Sequence, residues 1–172
     1  RFSEDASILC GFAKRGNQKW AYIAIEKGRK TADKVKHNFG MVRPEGYRKS
    51  LRLMELAEKF SLPILTLVDT PGAYPGIGAE ERGQALAIAE NIQTMFKVKT
   101  PIISVVIGEG GSGGALGIAV ADKVFMQQHA IYSVISPESC ASILWSDPAK
   151  GEEAAESLKI DAQMAQKLKV ID

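Results

Sequence analysis

The chain has 172 residues, of which 45% are apolar and 24% charged, enough for one globular domain with a sizeable core. Its 22 basic and 20 acidic residues are interspersed and sum to a formal charge of +2, so there is no basic block of the kind that binds nucleic acid. Two distant cysteines, Cys10 and Cys140, form no Cys-x-x-Cys pattern, and no apolar run approaches the roughly 18 residues of a membrane span, which argues against a disulfide framework, a zinc site and a membrane protein.

Both cysteines are expected as buried small residues. The chain opens on Arg1 rather than Met and stops abruptly at Val170-Ile171-Asp172, so one domain over 1–172, truncated at both ends, is expected. Without a signal peptide it is expected to be soluble and intracellular.

In chain order, residues 7–13 and 20–25 are β-prone runs separated by a Lys14–Lys19 return, which predicts two neighbouring antiparallel strands. Residues 28–40 are basic and show no consistent period, so they are expected as a loop carrying Lys30, Lys34, Lys36 and His37. Pro44-Glu45-Gly46 then opens a helix to about Phe60, with Leu51, Met54, Leu56 and Ala57 at helical spacing. Residues 63–68 are continuously apolar, as a strand buried on both faces requires.

The turn-rich segment Asp69-Thr-Pro-Gly-Ala-Tyr-Pro-Gly76 leads into an alanine-rich helix over about 80–96, with Glu80, Glu81 and Arg82 in its first turn. A second buried strand is expected over 101–107, followed by a glycine turn and a small-residue helix over 115–121. Short strands at 123–126 and 131–135, a helix over 137–145, and a helical tail over 148–168 with an Asp161 cap complete the chain. Strand, turn and helix recur, which implies a layered α/β fold with a largely parallel sheet.

The stretch Gly108 to Gly117 holds six glycines in ten residues. Such a cluster costs ordered structure roughly 0.5 to 1 kcal/mol per position, so it implies that backbone comes close to something. Both the 69–76 and the 108–115 turns leave the carboxyl ends of strands, where open α/β sheets bind ligands, and are expected to meet at one site. Free N–H groups at Gly113, Gly114 and Ala115, at a helix start, are candidate oxyanion donors; Gly72 and Ala73 are weaker candidates. The competing explanation is close helix-to-strand packing, which Ala115, Gly117, Ala119 and Ala121 favour in part.

Three other motifs fail on the letters. Gly108-x-Gly110-x-x-Gly113 fits a dinucleotide fingerprint, but the following strand ends at Met126-Gln127-Gln128, without the carboxylate that binds ribose. Asp69-Thr-Pro-Gly72 suggests a GTPase switch, yet the chain has no Gly-x-x-x-x-Gly-Lys-Ser/Thr. A Ser112 nucleophile needs a base, and the two histidines, His37 and His129, carry no supporting spacing. Glu80 and Glu81 could act as acid or base, but the helix dipole already accounts for them.

The segments Asp69–Gly76, Gly78-Ala-Glu-Glu-Arg-Gly-Gln84, Gly108–Gly117 and Tyr132-Ser-Val-Ile-Ser-Pro-Glu138, with His37-Asn-Phe-Gly-Met41 and Pro44–Lys49, resemble the carboxyltransferase alpha subunit of bacterial and plastid acetyl-CoA carboxylase. The resemblance covers essentially the whole chain; Ser139 stands where a glycine is expected. It implies an α/β crotonase-like (ClpP/crotonase) fold of repeated β-β-α units. It further implies carboxyl transfer from carboxybiotin, carried by a biotin carboxyl carrier protein, to acetyl-CoA, giving malonyl-CoA for fatty acid synthesis.

On this resemblance the chain is the biotin-side half of a site shared with a zinc-ribbon beta subunit, in an expected α2β2 assembly, with no metal of its own. ATP is used only by a separate biotin carboxylase, and the location is cytoplasmic or plastid stroma. Gly113, Gly114 and Ala115 become backbone donors to the biotin oxygen, and Gly72, Ala73, Tyr74, Gly110 and Gly111 line the biotin side. Alternatives from other classes are a crotonase-type acyl-CoA hydratase or isomerase, and a non-catalytic scaffold subunit.

Overall fold

The computed structural model describes residues 4–172. Strands β1 (Ile8–Arg15) and β2 (Gln18–Ile25) form the antiparallel pair, in register from Ile8↔Ile25 to Arg15↔Gln18. From β2 onward the sheet is parallel: β3 (Ile64–Thr70), β4 (Ile102–Gly111) and β5 (Lys123–Met126) follow in the order β1-β2-β3-β4-β5. A short strand, β6 (Ile131–Ser133), pairs with β4 beyond the end of β5, along Glu109–Gly111.

Helices α2 (Pro44–Lys59) and α5 (Ser112–Ala119) pack on this sheet, and α4 (Gln84–Lys97) packs on both of them, through their buried faces. In α2 that face is Tyr47, Ser50, Leu53, Met54 and Ala57, all buried. The next helix is two: α3 (Ile77–Glu81) and α4 (Gln84–Lys97) are separated at Gly83, whose left-handed φ of +79 turns the chain. Glu80, Glu81 and Arg82 therefore end α3 instead of opening a long helix. Helix α5 (Ser112–Ala119) lies against α4 and the sheet, and Ile118, Ala115 and Ala119 join Ile23, Ile64, Val68, Ile102 and Val106 in the main core.

Residues 28–40 are not a plain loop. Helix α1 (Thr31–Lys36) and a 3-10 turn at Asn38–Gly40 occupy them. Helix α1 buries no residue, so its sequence has no apolar period to reveal it. The small-residue helix starts at Ser112 instead of Ala115, because β6 gives the glycine-rich segment a partner and carries β4 on to Gly111.

The strand expected over 131–135 stops at Ser133, where the Ser133 hydroxyl donates to the Ile135 carbonyl and closes a turn at 2.7 Å. The tail forms α6 (Pro137–Trp145), a 3-10 turn at Pro148–Lys150, α7 (Gly151–Leu158) and α8 (Ala162–Lys167). Asp161 caps α8 by accepting from the Met164 N–H at 3.0 Å. Cys140 is buried as expected, whereas Cys10 is half-buried on the edge strand β1. Among the described residues no helix is long and apolar enough to cross a membrane.

Candidate active site

The two glycine turns meet at the carboxyl ends of β3 and β4. A Cβ placed on Gly111 would lie 2.1 Å from the Pro71 carbonyl oxygen, and one on Gly114 would lie 2.2 Å from the Ala73 nitrogen and 2.4 Å from the Gly72 carbonyl carbon. No side chain fits between backbones that close, which accounts for glycine at both positions. Close packing and open space thus lie side by side: a Cβ on Gly113 meets nothing within 4 Å.

Ser112, Gly113 and Gly114 occupy the first turn of α5, where N–H groups lack acceptors within the helix and the dipole favours negative charge. Ala115, one position further in, is fully buried. Helix α5 is held by its neighbours: the Tyr47 hydroxyl donates to the Gly114 carbonyl at 3.0 Å, and Asn91 Nδ2 donates to the Gly117 carbonyl at 2.9 Å. Burial drives the Tyr47 hydroxyl far above the usual phenol range, so it stays a donor.

The facing turn is closed by Thr70. Its hydroxyl donates to the Gly72 carbonyl at 2.7 Å and accepts the Gly72 N–H at 3.1 Å. The Gly72 N–H is therefore spent within the turn, and its expected role as a free donor does not hold. Tyr74 has its ring under the Arg43 guanidinium, 4.6 Å from the centroid, and covers Gly76. Gly72, Ala73 and Tyr74 build the back of the junction and do not line the cleft in front of it.

That cleft has a volume of about 590 Å3. Pro71, Glu109, Gly110, Gly111 and Ser112 form one wall, and the β6–α6 segment from Ser133 to Ser139 forms the other. Ser112 sits at a left-handed φ of +55 between strand and helix. Neither histidine reaches this cleft: His37 Nδ1 contacts the Ala6 carbonyl, and His129 is exposed in the turn before β6. Ser112 thus has no histidine base at the cleft.

Two features escaped the sequence. The β6–α6 wall was visible only as a motif in the resemblance, without a role. Lys27, which pairs with Asp69 at 2.9 Å and with Glu109, is one of three basic residues just after a strand, with Arg29 and Lys30, and nothing in its local pattern distinguishes it.

The family described as acetyl co-enzyme A carboxylase carboxyltransferase-like matches residues 1–172. The acetyl-coenzyme A carboxylase carboxyl transferase subunit alpha of Geobacter sulfurreducens is 61% identical over 171 residues, covering 99% of this chain and 54% of that protein. The protein of the same name from Bartonella tribocorum is 56% identical over 172 residues, covering 100% of this chain and 54% of its own length. The chain thus spans about half the length of these relatives.

Among solved structures, transcarboxylase 12S superposes with a TM-score of 0.85 at 19% identity, over 96% of this chain and 33% of that one. The beta subunit of geranyl-CoA carboxylase from P. aeruginosa gives 0.75 at 19% identity, over 94% and 32%. These likenesses agree with the crotonase-like α/β fold expected from the resemblance. A family match along the whole chain, with the two glycine turns joined at one cleft, places this protein in the acetyl-coenzyme A carboxylase carboxyltransferase family.

Proposed function

We propose that this chain is the biotin-side half of an acetyl-CoA carboxylase carboxyltransferase, acting with a beta subunit to make malonyl-CoA from acetyl-CoA. The observation that carries this reading is the open first turn of α5 at Gly113, beside a cleft where two glycine turns converge. The relatives named as carboxyl transferase alpha subunits support it.

The site suits a compact, flat, uncharged ring. Its inner wall is Pro71, Gly110, Gly111 and Ser112 with the Lys27-paired Glu109, the opposite wall mixes Ser133 and Ser136 with Val134, Ile135 and Glu138, and the space around Gly113 is clear. When bound, carboxybiotin on its carrier protein supplies the carboxyl group and leaves a basic ureido nitrogen with negative charge on the adjoining oxygen. The N–H groups of Gly113 and Gly114 are aligned by α5 to donate to that oxygen, with Ala115 behind them. Fixed donors of this kind need no reorganisation as charge develops, and losing one costs about 10² to 10³ in rate. No side-chain base from this chain is required.

The beta subunit supplies the acetyl-CoA side in this reading, so the alpha chain alone is inactive. Such an assembly works in the cytoplasm or plastid stroma, with ATP consumed only by a separate biotin carboxylase. The test is malonyl-CoA synthesis by the full-length chain with beta subunit, carboxylated carrier and acetyl-CoA. Product only when both subunits are present supports the reading. Undiminished product without this chain points to a scaffold, and acyl-CoA hydration by this chain alone points to a hydratase; either sinks it.

A further inference from the structure

Strands β3 and β4 change register as they reach the site. Val68 pairs with Val106 and Thr70 with Gly110, so the single residue Asp69 stands opposite three residues, Ile107, Gly108 and Glu109. The excess on β4 must fold outward as a bulge, a device that re-aims the chain beyond it. What lies beyond is Gly110 to Gly114.

Asp69 fills this bulge. Its Oδ1 accepts the Glu109 N–H at 3.0 Å, and a Cβ on Gly108 would sit 2.5 Å from that oxygen. Lys27, two residues past β2, places its ammonium 2.9 Å from Asp69 Oδ1 and against Glu109 Oε2. The ends of three adjacent strands, β2, β3 and β4, are tied by one cation.

The stem of Lys27 is covered in turn by the left-handed Asn38–Gly40 turn, where a Cβ on Gly40 would meet Lys27 Cγ at 2.8 Å. Three-quarters of the Lys27 side chain is shielded, as is most of Asp69, so this cluster is screened less than an open surface pair.

Glu109 also faces the cleft. A bare carboxylate there would oppose the negative charge that the α5 donors are meant to stabilise. We propose that Lys27 is a positioning residue: it clasps the β4 bulge that sets Gly110, Gly111 and Ser112 along the cleft and leads into the first turn of α5, and it offsets part of the charge of Asp69 and Glu109 beside the donors. The clasp is a property of the fold; the electrostatic part rests on the proposed carboxyl transfer. Burial alone would lower the Lys27 ammonium, but its hydrogen bonds and charge contacts with Glu109 and Asp69 outweigh that and hold it above its ordinary value.

The experiment uses the full-length chain assembled with its beta subunit. Lys27→Met should lower kcat at least about tenfold while KM for acetyl-CoA stays within about twofold, and Lys27→Arg should recover most of kcat. Adding Glu109→Gln to Lys27→Met should restore part of the loss, because the one of the two uncompensated carboxylates that lines the cleft is gone. A double variant no better than Lys27→Met, or unchanged kcat in Lys27→Met, overturns the electrostatic role.

Hydrogen exchange at the Gly110–Gly114 amides provides a readout independent of activity, and Lys27→Met should speed it by about tenfold. Unchanged exchange overturns the clasp even if the wild-type assembly makes no malonyl-CoA, an outcome that would by itself sink only the proposed function. Should Lys27→Met fail to assemble, the same exchange is read in Glu109→Gln, where unchanged rates again overturn the clasp.

Discussion

Gly113 and Gly114 are adjacent, yet an added methyl group would meet open space at one and the backbone of Gly72 and Ala73 at the other. This separates catalysis from folding in a way that a single glycine variant cannot. Gly113→Val should leave the thermal midpoint unchanged or slightly raised, since glycine is a poor helix former, while its side chain fills the space before the donors and lowers carboxyl transfer by about 10². Gly114→Ala must push the 69–76 turn away from α5, so it should cost roughly 1 to 3 kcal/mol of stability and activity with it. Ser112→Ala, assayed beside them, should keep activity within a few-fold. A loss as deep as that of Gly113→Val would restore the nucleophile reading, and full activity in Gly113→Val would remove the donors from the mechanism.

The elements around the site are joined through polar ties that hydrophobic periodicity does not report. Arg82, at the end of α3, donates through Nε to Glu45 Oε1 at 2.6 Å and reaches the Gly78 carbonyl, while Arg48 Nη2 donates to the Arg82 carbonyl at 2.5 Å. The hydrogen bond from Arg82 holds the Glu45 carboxyl below its ordinary value of 4.5, against a smaller opposing effect of burial. A carboxyl lowered in the folded state adds stability above its unfolded pKa and loses it as pH falls through the folded one. Arg82→Ala should therefore lower the thermal midpoint at pH 7, and the gap to the wild type should narrow as pH drops below 4.5. A gap of constant size from pH 7 to pH 3 would contradict the pair.

The same contrast explains what was legible beforehand. Helix α2 was readable from the helical spacing that burial imposes on it, and strands β3 and β4 from their continuous apolar runs. The α3–α4 break was marked only by Gly83, and α1 lies on the surface with no period. The site was legible as glycines because backbone contact excludes every other residue at Gly111 and Gly114. The bulge, with Lys27 and Asp69 drawn together from positions 42 apart, has no local signature.

At the scale of the whole molecule, the cleft is bounded by parts with unequal buried cores. Its inner wall grows from β3, β4 and α5, which share the main core. Its outer wall belongs to the β6–α6–α7 segment, whose buried cluster is small: Cys140, Ala141 and Ala154, with Ile135, Trp145 and Leu158 packed around them. That segment is tied back by three β6 pairs to β4, and its far end is held to β6 by the Tyr132 N–H donating to the Ile160 carbonyl at 2.9 Å. It leaves Val134, Ile143 and Leu144 each more than 60% exposed. Few buried apolar contacts mean a small free energy of local opening, so amides over 138–158 should exchange well before those of β2, β3 and β4 under native conditions. Hydrogen exchange followed by mass spectrometry over minutes to hours measures this directly. Simultaneous exchange of both regions would show one cooperative unit and refute the division. If the outer wall does open first, a ligand filling the cleft should slow exchange at Ser133–Ser139 more than at β4, because stabilisation by binding appears where opening would otherwise release the ligand.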